Sequence, residues 1–175
     1  MSCSEVKDFS SNPQLNDSND IEKPGTNTHT QSAKAEINGE LGGSLAMTKN
    51  YVNPYGEDVT VTASLTVPEG AYSGTKNISI TSNDKDLSIT FSPKSEFIKP
   101  LKLSLSFTGV NLARRGIDVN KTVDFYYIYP NGKVELVKNN GIIVNVSQGR
   151  IEVNSAELNH FSRYAFSNKK GGSSK

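Results

Sequence analysis

Between residues 59 and 67 the chain alternates without a fault: Val59, Val61, Ala63, Leu65 and Val67 are separated by Thr60, Thr62, Ser64 and Thr66. Successive side chains of a strand point to opposite faces, so this segment has one apolar and one hydroxyl face, as a half-buried β-strand requires. A helix would scatter the same residues around its circumference. Pro68-Glu69-Gly70 then stops the run. The same period returns at Ile78 and Ile80, at Leu87, Ile89 and Phe91 before Pro93, and at Leu101, Leu103, Leu105 and Phe107 before Gly109. It returns again at Val123, Phe125, Tyr127 and Tyr129. Pro130-Asn131-Gly132 turns that strand into Val134 and Leu136, and Asn139-Asn140-Gly141 precedes Ile142, Val144 and Val146. Gln148-Gly149 leads into Ile151 and Val153, and a closing strand is expected over about Asn159 to Ser167.

About eight to ten short strands with no amphipathic helix bury their apolar faces as two packed sheets. The expected fold class is therefore all-β, an antiparallel β-sandwich. Residues 111–121 form a longer crossing between its sheets. Hydrophobic residues make up only 34% of the chain, and the deficit sits at its two ends. Residues 1–33 read as a disordered polar linker, residues 34–168 as the sandwich and residues 169–175 as a flexible tail. In residues 4–33 only Val6, Phe9, Leu15 and Ile21 are bulky and apolar, too few to offset the entropy of ordering. A coil of about thirty residues spans roughly 30 Å.

Met1-Ser2-Cys3-Ser4 before that polar stretch resembles a bacterial lipoprotein after its signal peptide is removed, with Cys3 as the lipid attachment residue. The alternative is a free thiol in a polar tail. On the lipoprotein reading the chain belongs to the bacterial cell envelope or the extracellular space, and touches a membrane only through Cys3. With 19 basic residues against 18 acidic ones, scattered along the chain, no nucleic-acid footprint is present. A single cysteine excludes disulfides within the chain and cysteine metal clusters, and two distant histidines give no zinc geometry. No cofactor is expected, and the chain is expected to be a monomer.

Several segments in order carry a family resemblance. Gly42-Gly43-Ser44-Leu45 precedes a strand ending in Val67-Pro68-Glu69-Gly70-Ala71, followed by an Ile-x-Ile strand, Thr90-Phe91-Ser92-Pro93 and Phe97-x-x-Pro100-Leu101-x-Leu103. Then come Tyr127-Ile128-Tyr129-Pro130-Asn131-Gly132-Lys133 and His160-Phe161-Ser162-Arg163-Tyr164-Ala165. This order resembles the ZU-five domain, named for the zonula-occludens and netrin-receptor proteins, and is most similar to its bacterial secreted and lipid-anchored versions. The resemblance covers most of residues 36–167 and implies a sandwich that mediates protein contacts. It departs at residues 46–58, which read as an extra polar segment where the animal domain has a short loop.

The resemblance also implies chemistry. Similar domains in death-domain and inflammasome sensors cut themselves between Phe and Ser. Here that would make Ser162 the nucleophile on the Phe161 carbonyl and His160 its base, since residues two apart in a strand share a face. The plainer reading packs Phe161, Tyr164, Ala165 and Phe166 into the core of a closing strand. Tyr51 and Tyr55, in Asn50-Tyr51-Val52-Asn53-Pro54-Tyr55-Gly56, are candidate binding residues for a protein or glycan, or a lid over the sheet edge. Asn83-Asp84-Lys85-Asp86 reads as a surface turn rather than a calcium loop, and His29 as part of the tether. No Gly-x-Ser-x-Gly elbow or phosphate-binding glycine loop occurs. The expected function is that of a non-enzymatic, surface-anchored interaction module. A self-cleaving domain and a carbohydrate-binding module are the alternatives.

Overall fold

The computed structural model describes residues 28–169. Eleven strands follow in chain order: β1 (Thr30–Asn38), β2 (Gly43–Val52), β3 (Asp58–Val67), β4 (Thr75–Asn83), β5 (Ser88–Ser92), β6 (Glu96–Thr108), β7 (Val123–Ile128), β8 (Val134–Leu136), β9 (Ile142–Asn145), β10 (Arg150–His160) and β11 (Arg163–Asn168). They form a six-stranded sheet in the order β1-β4-β5-β11-β7-β8 and a five-stranded sheet in the order β2-β3-β6-β10-β9. All pairs are antiparallel. The fold class is the expected all-β sandwich.

The alternation read in the sequence is the alternation of burial. Val61, Ala63 and Leu65 of β3 have no exposed surface, and neither do Ile78 and Ile80 of β4, Leu101 and Leu103 of β6, or Ile151 and Val153 of β10. Each fully buried aliphatic side chain contributes about 1.5–3 kcal/mol relative to an exposed one. The intervening Thr62 and Ser64 stay exposed, and Ser104 and Ser106 are half-buried on the outer face.

Four expectations need correction. β1 begins at Thr30, so the first strand takes in residues 30–33, which their polarity had assigned to the linker. Pairing with β4 gives the backbone groups of Gln31 and Ala33 their partners, whatever the side chains of the segment prefer. Residues 46–58 are no insertion: they complete β2, turn at 53–57 and open β3, in continuous register from Gly43↔Val67 to Val52↔Asp58. The closing strand is two strands. β10 ends at His160 in one sheet and β11 begins at Arg163 in the other, with Phe161-Ser162 as the corner between them. His160 and Ser162 therefore do not share a strand face. Lastly, Asp84 is fully buried, so Asn83–Asp86 is not simply a surface turn. Cys3 and the rest of the expected tether up to residue 27 lie outside the described residues, as do the tail residues beyond Lys169.

The antiparallel order sorts the connections to two ends. Residues 28–29, the 53–57 and 84–87 turns, the 109–122 crossing and the 146–149 turn gather at one end. The Gly39–Gly42 turn and the Phe161-Ser162 corner lie at the opposite end.

Candidate functional site

The loop-bearing end is organised around one buried carboxylate. Asp84 has no exposed surface, and a carboxylate taken out of water needs full compensation. Its oxygens accept hydrogen bonds from Tyr51 Oη (3.0 Å), Asn53 Nδ2 (2.7 Å) and Arg115 Nη2 (2.7 Å). His29 Nδ1 lies 3.1 Å away and donates in its Nδ1–H tautomer. The Arg115 side chain is 1% exposed. It also donates from Nε to the Asp84 backbone carbonyl (2.8 Å) and from Nη2 to Glu57 Oε2 (2.5 Å). Asn53 Oδ1 accepts from the backbone N–H groups of Tyr55 (2.9 Å) and Glu57 (3.1 Å), which shapes the 53–57 turn.

Three turns and the start of β1 are thus tied to one another by charge-assisted bonds, which are shorter and stronger than neutral ones. Burial alone would raise the Glu57 carboxyl, but hydrogen bonds from Asn53 and Arg115 outweigh it and hold the group below the usual range for glutamate. The Tyr51 phenol is pushed well above its ordinary range, first by burial and then by the adjacent Asp84 carboxylate. It stays a neutral donor at any physiological pH.

Above this network the surface opens into a groove of about 1040 Å³ between the 109–120 crossing and the 146–149 turn, with Tyr55 on its wall. The groove is amphipathic. Tyr55, Val119 and Val146 are 43%, 44% and 61% exposed, and Asn111, Arg114 and Gln148 supply polar groups among them. Tyr55 is held in place on its ring faces and edges: His29 packs at 4.8 Å between centroids, and the guanidinium groups of Arg114 and Arg115 sit 4.9 and 4.8 Å from its centre. The two tyrosines singled out by sequence thus part company. Tyr51 turns inward to Asp84, while Tyr55 faces the groove.

Two glycines let the groove walls meet. Gly109 has φ +82°, and a Cβ there would lie 1.9 Å from the Asp58 carbonyl oxygen. Gly149 has φ +55°, and its Cβ would lie 2.3 Å from the Val110 carbonyl oxygen. Both positions require the left-handed region and the missing side chain.

His160-Phe161-Ser162 lies at the opposite end. Phe161 is 2% exposed, stacked on Phe91 at 4.8 Å and edge-on to Phe97 at 4.7 Å. Its N–H donates to the Ser95 carbonyl (2.7 Å), and the Ser162 carbonyl accepts from Phe91 N–H (2.8 Å). The Tyr164 hydroxyl donates to the His160 carbonyl. The His160 ring stands edge-on to Tyr127 at 4.0 Å, and its buried Nε2 has no hydrogen-bond partner among the described residues. His160 and Ser162 both line a cleft of about 490 Å³ that also includes Lys94, Glu96 and Tyr129. Among the described residues, no hydrogen bond joins the imidazole to the Ser162 hydroxyl.

Among the described residues, no group of three or more His, Cys, Asp or Glu side chains could hold a metal ion. Sequence reasoning missed Asn53, Glu57, Asp84 and Arg115. Each lies in a polar turn where a charged or amide residue is ordinary, and nothing local separates the buried Arg115 from the half-exposed Arg114 beside it. No protein-family model, curated protein or solved structure matches the chain.

Proposed function

We propose that this chain is a non-enzymatic interaction module whose contact surface is the groove between the 109–120 crossing and the 146–149 turn. The observation that supports this most is Arg115, 1% exposed and clamped between Glu57 and Asp84 beneath the groove. A buried ion cluster adds little net stability over apolar packing. What it does supply is fixed loop geometry, and a preorganised surface loses less entropy on binding. The exposed Tyr55, Val119 and Val146 then offer a rigid aromatic and apolar contact patch with polar groups around it.

The partner is a protein or a glycan. An aromatic ring flanked by Asn111, Asn120 and Gln148 suits either, and the carbohydrate-binding reading rests on this same groove. The proposed setting is the bacterial envelope, with Cys3 lipidated. Residue 28 enters the domain at the groove end, so such an anchor would be attached on that side. The test is a photo-crosslinker placed at Val119, compared with one at Thr62 on the outer sheet face. A partner captured from envelope fractions through position 119, and lost in Val146→Arg, is the expected result. Equal capture from both positions would overturn the reading, and glycan-array binding abolished by Tyr55→Ala would assign the sugar form.

A second reading is self-cleavage. It is favoured by one observation: among the described residues the buried His160 Nε2 has no hydrogen-bond partner, and His160 and Ser162 line one cleft. The Ser162 Oγ would attack the Phe161 carbonyl carbon, with His160 taking the hydroxyl proton and returning it to the leaving amine. Water would then hydrolyse the resulting ester, releasing a new carboxylate at Phe161 and a peptide beginning at Ser162. Intact-mass spectrometry under denaturing conditions decides it. A single species near 19.0 kDa eliminates cleavage, whereas two species split at Phe161-Ser162, and absent in Ser162→Ala, establish it.

A further inference from the structure

The six-stranded sheet ends in β1, and among the described residues no strand pairs with its outer side. β1 is nine residues long and runs in unbroken register with β4, from Thr30↔Asn83 to Asn38↔Thr75. It contains no proline and no bulge, the usual devices that keep an edge from pairing. Edge lysines also serve that end, and Lys34 is one. Its neighbour Glu36 changes the meaning of that charge.

The backbone pattern shows which groups face outward. Asp84 N–H donates to the His29 carbonyl (3.0 Å) and Gly39 N–H donates to the Gly74 carbonyl (2.9 Å). Hydrogen-bonded pairs alternate along an antiparallel ladder. The odd-numbered residues of β1 therefore exchange bonds with β4, and Ser32, Lys34 and Glu36 aim their N–H and C=O groups at the open edge. Their side chains lie on the exposed outer face, whereas Ala33 and Ala35 are half-buried and Ile37 is buried on the inner face.

We infer that this edge pairs with β1 of a second copy of the chain, antiparallel, about a two-fold axis at Ala35. In that register Lys34 lies opposite the partner copy's residue 36 and Glu36 opposite its residue 34. Each such pair exchanges two backbone hydrogen bonds and places opposite charges side by side. The contact is isologous, so one Lys-x-Glu unit makes two ion pairs. Residue 35 meets its own copy in a non-hydrogen-bonded pair, where the strands approach to about 4.5 Å and a methyl group fits. Residue 33 meets residue 37, which covers the end of the core. A slip of two residues either way sets Lys34 against Lys34 or Glu36 against Glu36, and like charges directly opposite are destabilising. Charge and hydrogen-bond parity thus select the same register. A monomer is the expectation from the sequence, so the oligomeric state distinguishes the two; the proposed pairing leaves the groove free because that surface lies on the loops at the sandwich end.

Sedimentation equilibrium of the full chain tests it. The expected result is a concentration-dependent species of twice 19.0 kDa. Lys34→Glu or Glu36→Lys alone should raise the dissociation constant about tenfold or more, because two attractions become two repulsions. Both side chains are exposed, so the thermal midpoint of the fold should not move by more than a degree or two. Mixing the two variants should restore a dimer, now between unlike chains, because every opposed pair is again of opposite sign. A chain of 19.0 kDa at all concentrations would overturn the inference. So would a dimer indifferent to these charges, or a mixture that fails to associate.

Discussion

Arg115 shows how much one side chain decides here. Its guanidinium compensates Asp84 and Glu57 at once, and removing it would strand a carboxylate that has no exposed surface. Arg115→Met should therefore destabilise the domain by about 3–5 kcal/mol, read as a fall of roughly 10 °C or more in the thermal midpoint. Arg114→Met, one residue away and half-exposed, should shift it by no more than about 1 kcal/mol. The contrast between neighbours is the check, since a general effect of charge removal would treat them alike. Glu57 sets a pH dependence of definite sign. Its carboxyl titrates lower in the folded chain than in the unfolded one. Its contribution is thus fully present above the unfolded value of about 4.3 and is lost as pH falls through the lower folded value. Chemical denaturation between about pH 5 and pH 3 should show stability falling with acid, and Glu57→Gln should flatten that slope.

At the scale of elements, the chain relies on close meetings of strand ends. Gly109 ends β6 against the Asp58 carbonyl, and Gly149 in the turn before β10 sits against the Val110 carbonyl. Gly109→Ala would need both a left-handed alanine and movement of a backbone atom 1.9 Å away. A loss of about 2–4 kcal/mol is expected in urea titration, with a groove that no longer holds its shape. Gly132→Ala is the control: φ is also positive, but nothing lies within 4 Å, so only about 1–2 kcal/mol of backbone strain should appear. The β10–β11 corner follows a different logic. It is filled by aromatic rings, with Phe161 between Phe91 and Phe97, and Tyr164 reaching back to the His160 carbonyl. Tyr164→Phe should cost about 1 kcal/mol if the corner is purely structural.

Across the whole molecule, the chain passes between the sheets six times. Neither sheet has a core of its own. β3, β6 and β10 from one sheet and β4, β5, β7 and β11 from the other bury their side chains against each other. The sheets should therefore unfold together. Far-ultraviolet circular dichroism, which reports strands, and near-ultraviolet signals from the packed tyrosines should give coincident urea midpoints. Separate midpoints would mean the two sheets are independent. The same winding puts the groove at one end, the His-Phe-Ser corner at the other, and the free β1 edge along the side. Variants at the three places should act independently, since well-separated sites add.

The strands of the core were written in the sequence because period-two alternation is a local property: β3, β6 and β7 can each be read residue by residue, and turns such as Pro130-Asn131-Gly132 mark their limits. The sandwich class follows from the number of such strands and the absence of helices. Three things were decided only by tertiary structure. Residues 30–33 are too polar to declare a strand, and became one because β4 offered its edge. Asn159 to Ser167 alternates well enough for one strand, but its two halves hydrogen-bond in different sheets. Asp84, Glu57 and Arg115 look like solvated turn residues, and their burial depends on three distant turns folding to the same end. Local pattern sets which way a side chain points along its own strand. Whether it then meets water or another charge depends on strands far away in the chain, and no window of sequence contains that information.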